Sequence, residues 1–294
     1  MRPFRFLFAF LLAAVPAFAS DTPGNVQAHP ALWAVHGKAG TAYLLGAIHI
    51  LPPNIDWHSP QIDAAMNTAD TFVFEVPTDD AAMATMRTFV AAHGSLPAGQ
   101  TLPSLLPPAA LADYNYLLDK TQIPPANLAD KKPWLADLVL QVTALVREHF
   151  DPNSGIDKQV IAFATAHGKS FRYFETIEQQ LALIAPADSD LEIKEFAVDL
   201  KTMREEPLTI DDLVAAWEHG DVAKIDRLTN TELAKEPGAK KVMLDDRNKA
   251  WVAQLKGMLA ENHTYFITVG AAHLAGTEGV PSLLRKEGYK VEGP

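Results

Sequence analysis

Residues Thr41 to Leu51 read TAYLLGAIHIL, an uncharged run rich in branched and aromatic side chains and closed by Pro52-Pro53. A short apolar run bounded by turn residues is the pattern of a strand buried on both faces, the kind from which parallel sheets are built. Ser59 and Pro60 then open a helix with Ile62, Ala65 and Met66 on one face, since serine caps free N–H groups and proline suits the first turn. Thr71 to Pro77, TFVFEVP, is a second strand whose only charge, Glu75, meets the following loop. Strand, helix and strand within roughly forty residues make a βαβ unit.

Outward from this unit the same alternation returns. A helix is expected from about Gly155 to Ala166, with Gly168 after it, leading to a third strand, Lys169 to Glu175, which again ends in glutamate. Thr176, with Gln179 three positions on, makes a capping box, and helical periodicity then runs with interruptions to about Leu259. The last long strand, Thr264 to Val269, enters Gly270-Ala271-Ala272-His273, followed by a closing helix from Gly279 to Gly288 and a short strand at Tyr289 to Val291. Residues 79–150 are helical in pattern, broken at Leu106-Pro107-Pro108 and Ile123-Pro124-Pro125, and read as a helical insertion or cap. The expected fold is α/β: a central mixed, largely parallel sheet flanked by helices, forming a single domain over 32–294.

Residues 1–19 have the form of a secretory signal, with Arg2 and Arg5 ahead of the apolar run Phe6 to Val15 and small residues at Ala17 and Ala19. The reading is of a protein exported to the periplasm or secreted by a bacterium, with no stable membrane anchor after cleavage. Residues 20–31, polar and twice interrupted by proline, are expected to be a flexible lead-in. The absence of cysteine in 294 residues is compatible with export, because a chain this long can rest on its core without disulfides. The formal charge of −11, with no basic run longer than Lys240-Lys241, argues against nucleic acid and anionic membranes and leaves a peptide or small-molecule substrate.

The chemistry is concentrated at strand ends. Tyr43 to His49 and Phe266 to His273 are two apolar strands that each run into Gly-x-x-His. In an open α/β sheet ligands gather beyond the carboxyl ends of the strands, so His49, Glu75, Glu175 and His273 should share one rim. Glycine three residues before each histidine lets backbone approach closely where the strand leaves the sheet. Two imidazoles with one or two carboxylates can hold a divalent metal, here His49, His273 and Glu75, and activate water. The same groups can work without metal, a glutamate taking a proton and a histidine polarising a carbonyl. Glu175, placed just before Thr176, also suits a helix amino terminus. Asp157 reads equally as a favourable first-turn aspartate, Arg247 as an ion-pair partner of Asp245 and Asp246, and His36 and His58 as loop histidines.

Taken in order, LWAVHGKAGTAYLLGAIHILP, FVFEVP, SGIDKQV, FETIEQQ, DDRNKAW and ITVGAAHLAGTEGVPSLLRKEGY resemble the TraB/GumN family from Leu32 to about Val291. The terminal stretches, GAAHLAGTEG above all, are the most specific. The resemblance implies an erythromycin-esterase-like or Tiki-like fold and a relation to Tiki metalloproteases, in which a divalent metal is often manganese or cobalt, so a divalent manganese, cobalt or zinc ion is the cofactor expected for this chain. It further implies His49 and His273 as ligands or acid–base groups, Glu75 as ligand or base, and Arg247 as a stabiliser of developing negative charge. Three readings follow: a metal-dependent hydrolase of the metallopeptidase kind; a metal-independent ester or amide hydrolase; and a non-catalytic periplasmic protein that binds a peptide, a haem-like ligand or a polysaccharide precursor. Fold-making turns inherited from an enzyme would produce the same motifs without activity.

Overall fold

The computed structural model describes residues 25–185, 189–205, 210–234 and 238–294. The export signal read at 1–19 lies outside these residues. Along the chain the strands and helices are β1 Val26–Gln27, β2 Leu32–His36, β3 Thr41–Ala47, β4 Ile55–Asp56, α1 Pro60–Thr68, β5 Thr71–Phe74, α2 Asp80–His93, α3 Leu102–Leu105, α4 Pro108–Thr121, α5 Pro133–Arg147, α6 Ile156–Ala166, β6 Ser170–Tyr173, α7 Ile177–Ile184, α8 Ser189–Glu205, α9 Asp211–Glu218, α10 Val222–Leu233, α11 Asp246–Met258, β7 Thr264–Gly270, α12 Val280–Lys286 and β8 Lys290–Glu292. Among the described residues no helix is long and apolar enough to cross a membrane.

The described residues fall into two compact units. One comprises 78–150, 176–185 and 189–205, and the other comprises 25–77, 151–175, 210–234 and 238–294. The helical unit packs α4, α5 and α8 around Leu102, Tyr114, Leu118, Leu140, Phe196 and Leu200. Tyr114 meets Phe196 edge-on and Arg204 pairs with Asp113.

The other unit contains a six-stranded sheet in the order β6-β5-β7-β3-β2-β8. The first four strands are parallel to one another, and β2 is antiparallel to both of its neighbours. This is the mixed, largely parallel α/β sheet that the uncharged runs at 41–51 and 264–269 dictate, because strands covered on both faces cannot carry alternating charge. On one face Val35, Leu44, Val73, Tyr265, Ile267 and Val269 pack against Trp251, Val252 and Leu255 of α11 and Leu284 of α12. On the opposite face Phe72 meets Phe266 and Phe163 of α6.

Two differences from the sequence reading have simple causes. The lead-in at 20–31 contributes β1, which pairs in parallel with β4, and Ala28 beyond it is wholly buried. The strand read as Thr41 to Leu51 ends at Ala47, so Ile48 and His49 already lie outside the sheet. A Cβ on Gly46 would fall 2.9 Å from Cα of Ala271, so this glycine is what lets β3 pass the turn after β7.

Candidate active site

Four parallel strands deliver their next residues to one rim, Glu75 directly after β5, His49 and Glu175 two residues beyond β3 and β6, and His273 in the 3₁₀ turn that follows β7. His49 is fixed first. Its Nδ1 lies 2.6 Å from Oδ2 of Asp157, with both side chains almost fully buried. Asp157 reaches it because the amino end of α6 sits directly on the loop after β3, where the Ile156 N–H donates to the Ile48 carbonyl at 3.1 Å. Gly155 makes this contact possible, since a Cβ there would lie 2.2 Å from the His49 carbonyl oxygen. With Nδ1–H donating to the carboxylate, Nε2 is the basic position of the ring.

The other imidazole is held differently. Nδ1 of His273 donates to Oδ1 of Asn248 at 2.6 Å, and the Asn248 amide donates in turn to the Glu278 carbonyl, which fixes its orientation. Nε2 of His273 then accepts from Arg247 at 3.0 Å. Both ring nitrogens are committed, and the arrangement requires a neutral imidazole.

Arg247 is the centre of the cluster. Its Nε donates to Glu175 at 2.7 Å, Nη1 to His273 and to the Met243 carbonyl, and Nη2 to Glu75 at 2.6 Å and Glu175 at 2.9 Å, which uses all five N–H donors. Oε1 of Glu75 accepts the Gly270 N–H at 2.8 Å. Trp251 floors the group: its indole N–H donates to Glu175, its ring stacks on Phe174, and both Arg247 and His273 lie within 5 Å of it. Arg247, Asn248 and Trp251 come from the first turns of α11, which follows a π-helical turn at Lys241–Asp245.

These contacts separate the titrations of the cluster. Burial pushes the Glu75 carboxyl up, but Arg247, His273, His49 and the Gly270 N–H outweigh it and hold its pKa at about 2. Burial and the Arg247 charge push His273 down to about 3. For His49 burial also lowers the pKa, yet the Asp157 carboxylate, with Glu75 behind it, leaves the net shift upward from 6.5. Two histidines on one rim are thus driven in opposite directions, His49 upward by its carboxylate partner and His273 downward by burial and Arg247.

The TraB/PrgY/gumN family profile matches residues 31–293, the whole of this rim included. The chain belongs to that family. Proteins named "Uncharacterized protein YbaP" from Shigella flexneri and Escherichia coli (strain K12) are each 22% identical to this TraB/PrgY/gumN chain over 285 residues, covering 92% of both sequences. No solved structure matches it significantly.

All five residues singled out at strand ends and in DDRNKAW, namely His49, Glu75, Glu175, Arg247 and His273, meet in this TraB/PrgY/gumN site. His58 instead pairs with Asp63 on the surface, and His36 lies beside Glu292. The divalent ion that the family resemblance implies is not matched by the donors as arranged. His273 has no ring nitrogen to offer, both Glu75 oxygens accept hydrogen bonds from protein, and the guanidinium occupies the point on which they converge. Among the described residues no group of three or more His, Cys, Asp or Glu side chains is placed to hold a metal. The sequence reading undervalued Asp157 and did not single out Asn248 or Trp251. For the latter pair the available signal was their spacing from Arg247, one and four positions on, which puts them on adjoining parts of one helical turn.

Proposed function

We propose that this protein is a metal-independent hydrolase of ester or amide bonds in which His49 is the general base. The reading is carried by the buried 2.6 Å contact between His49 Nδ1 and Asp157, which orients the ring and supports the imidazolium that forms during proton transfer. Nε2 of His49 takes a proton from water as its oxygen attacks the carbonyl carbon. The same proton then passes to the departing alkoxide or amine as the tetrahedral intermediate collapses, and His49 returns to its neutral form. Glu75, with a pKa of about 2, is too weak a base for this step, and its charge serves to favour imidazolium at His49. Arg247, with every N–H committed, keeps Glu75 ionised and holds both Glu75 and Glu175 in place. The export read from residues 1–19 belongs to this proposal and would place the peptide or small-molecule substrate outside the cytoplasm.

The test is hydrolysis of a panel of p-nitrophenyl esters and peptide anilides in the presence of EDTA. Activity is expected to survive chelation, and His49→Ala is expected to lower kcat by about 10²–10⁴-fold. Activity abolished by EDTA and restored by manganese, cobalt or zinc would replace this proposal with the metal-dependent one.

The pH profile provides a second check. A base must be deprotonated to act, and the folded pKa of His49 lies above 6.5, so kcat/KM is expected to rise with pH along a limb centred above that value. Asp157→Asn removes the partner that raises the pKa, and the limb should move to lower pH while kcat falls. Charged groups acting on His49 include Asp157, Glu75 and Arg247. A rate that falls as pH rises through this range would assign His49 to the acid role instead.

A further inference from the structure

The Glu75, Glu175 and His273 side chains direct four acceptor atoms at one guanidinium: Oε2 of Glu75, both carboxylate oxygens of Glu175 and Nε2 of His273, at 2.6 to 3.0 Å from its nitrogens. Two carboxylates and an imidazole are a ligand set for a divalent ion, and here they receive N–H donors from a residue of the same chain. We infer that Arg247 is the resident cation of this site and that it excludes a divalent metal from the donors that converge on it. The inference rests on the proposed metal-independent reading only in taking the cluster as the active site, and its test does not depend on turnover.

Several features make the guanidinium a fixed occupant. It is bonded through all five N–H groups, its Nη1 reaches back to the Met243 carbonyl one turn earlier, and its Cζ lies 4.8 Å from the centroid of the Trp251 ring. The Trp251 indole N–H holds Glu175 against it at 2.9 Å, and Asn248 presents the unprotonated Nε2 of His273 to it. An ion entering among the same oxygens would stand within a few ångströms of a positive charge that has no other place to go, in a cluster whose side chains, Glu175 apart, are at most 8% exposed. The donors and the guanidinium complement one another in charge and in hydrogen-bonding geometry, and both are satisfied only together.

The measurement is Co²⁺ binding to the purified full chain, read by equilibrium dialysis and by the visible absorbance of the bound ion. The expected results are no site-bound Co²⁺ in the wild-type protein and uptake of one equivalent by Arg247→Ala, lost again in Arg247→Ala/His273→Ala. Wild-type protein that binds one Co²⁺ and releases it on Glu75→Gln, with Arg247 in place, would overturn the inference. So would Arg247→Ala that keeps the wild-type circular dichroism and takes up none. If the alanine variant does not fold, the wild-type measurement with its Glu75→Gln control still decides. Esterase assays play no part in this readout, so a protein inactive on every ester tested leaves it intact.

Discussion

Arg247→Ala is expected to cost about 3–5 kcal/mol of folding stability, the range for breaking a buried ion pair by removing one partner. The physical reason is what remains. Glu75 stays buried and Glu175 nearly so with no cation between them, and the Nε2 of His273 and the Met243 carbonyl lose the donor they share. Urea unfolding at pH 7 measures the loss directly. The same variant should respond differently to acid. In the wild-type protein Glu75 has a folded pKa of about 2 against an ordinary 4.5, so its contribution is present above pH 4.5 and is lost as pH falls toward 2. His273, held at about 3 against 6.5, acts in the same direction, its contribution being present above 6.5 and declining on acidification. The Glu75 shift alone corresponds to about 3 kcal/mol. Without Arg247 the charge that lowers both pKa values is gone, so the urea midpoint of the variant should fall less between pH 7 and 4 than that of the wild type. Parallel curves for the two proteins would mean that Arg247 does not set these titrations.

The rim itself was legible because its cause is local. An uncharged strand followed by a polar residue declares where the chain leaves a parallel sheet, and His49, Glu75 and His273 follow that rule, whereas the strand before Glu175 carries Arg172. The close approach read at the two Gly-x-x-His motifs is found at the first of them, and the two glycines act differently. Gly46 admits the Cα of Ala271, while Gly270 presents its N–H to Glu75. The capping box at Thr176 and the serine cap of α1 were likewise readable, because both are settled within one helical turn.

What could not be read depends on partners far apart in sequence. Asp157 satisfies every local requirement of a first-turn aspartate, and nothing near it reveals a histidine 108 positions earlier. Trp251 has the spacing of an ordinary core residue, which it also is; its hydrogen bond to Glu175 spans 76 positions. Arg247 beside Asp245 and Asp246 looks like a surface ion pair, yet its guanidinium turns inward, while Lys240 and Lys241 take those aspartates. The short strand β2 escaped because five residues, Leu32–His36, give too few alternations to stand out from a loop. The division of labour between the histidines was the least accessible feature. The two motifs are nearly identical as strings, and burial lowers both pKa values, reinforced by Arg247 at His273 and outweighed by Asp157 at His49.

That division makes the packing at Gly155 decisive for chemistry. Gly155→Ala would put a methyl group 2.2 Å from the His49 carbonyl oxygen and 2.7 Å from its carbonyl carbon, distances that backbone atoms cannot accept. Neither side can yield by rotating a side chain, so the amino end of α6 must move away from the loop after β3. The stability cost should be about 1–3 kcal/mol, as for other overpacked interior positions. The larger consequence is that Asp157, two residues on, is carried off Nδ1 of His49 and the Ile156–Ile48 hydrogen bond opens. A misplacement of about 1 Å at an active site can cost 10²-fold in rate. Hydrolysis by Gly155→Ala is therefore expected to fall at least as far as that of Asp157→Asn, with the ascending pH limb displaced to lower pH in both. Melting temperature and rate measured on one preparation separate the two effects. A variant with a lowered melting temperature but a wild-type pH profile would show that α6 is a support for the fold and that His49 does not depend on its aspartate.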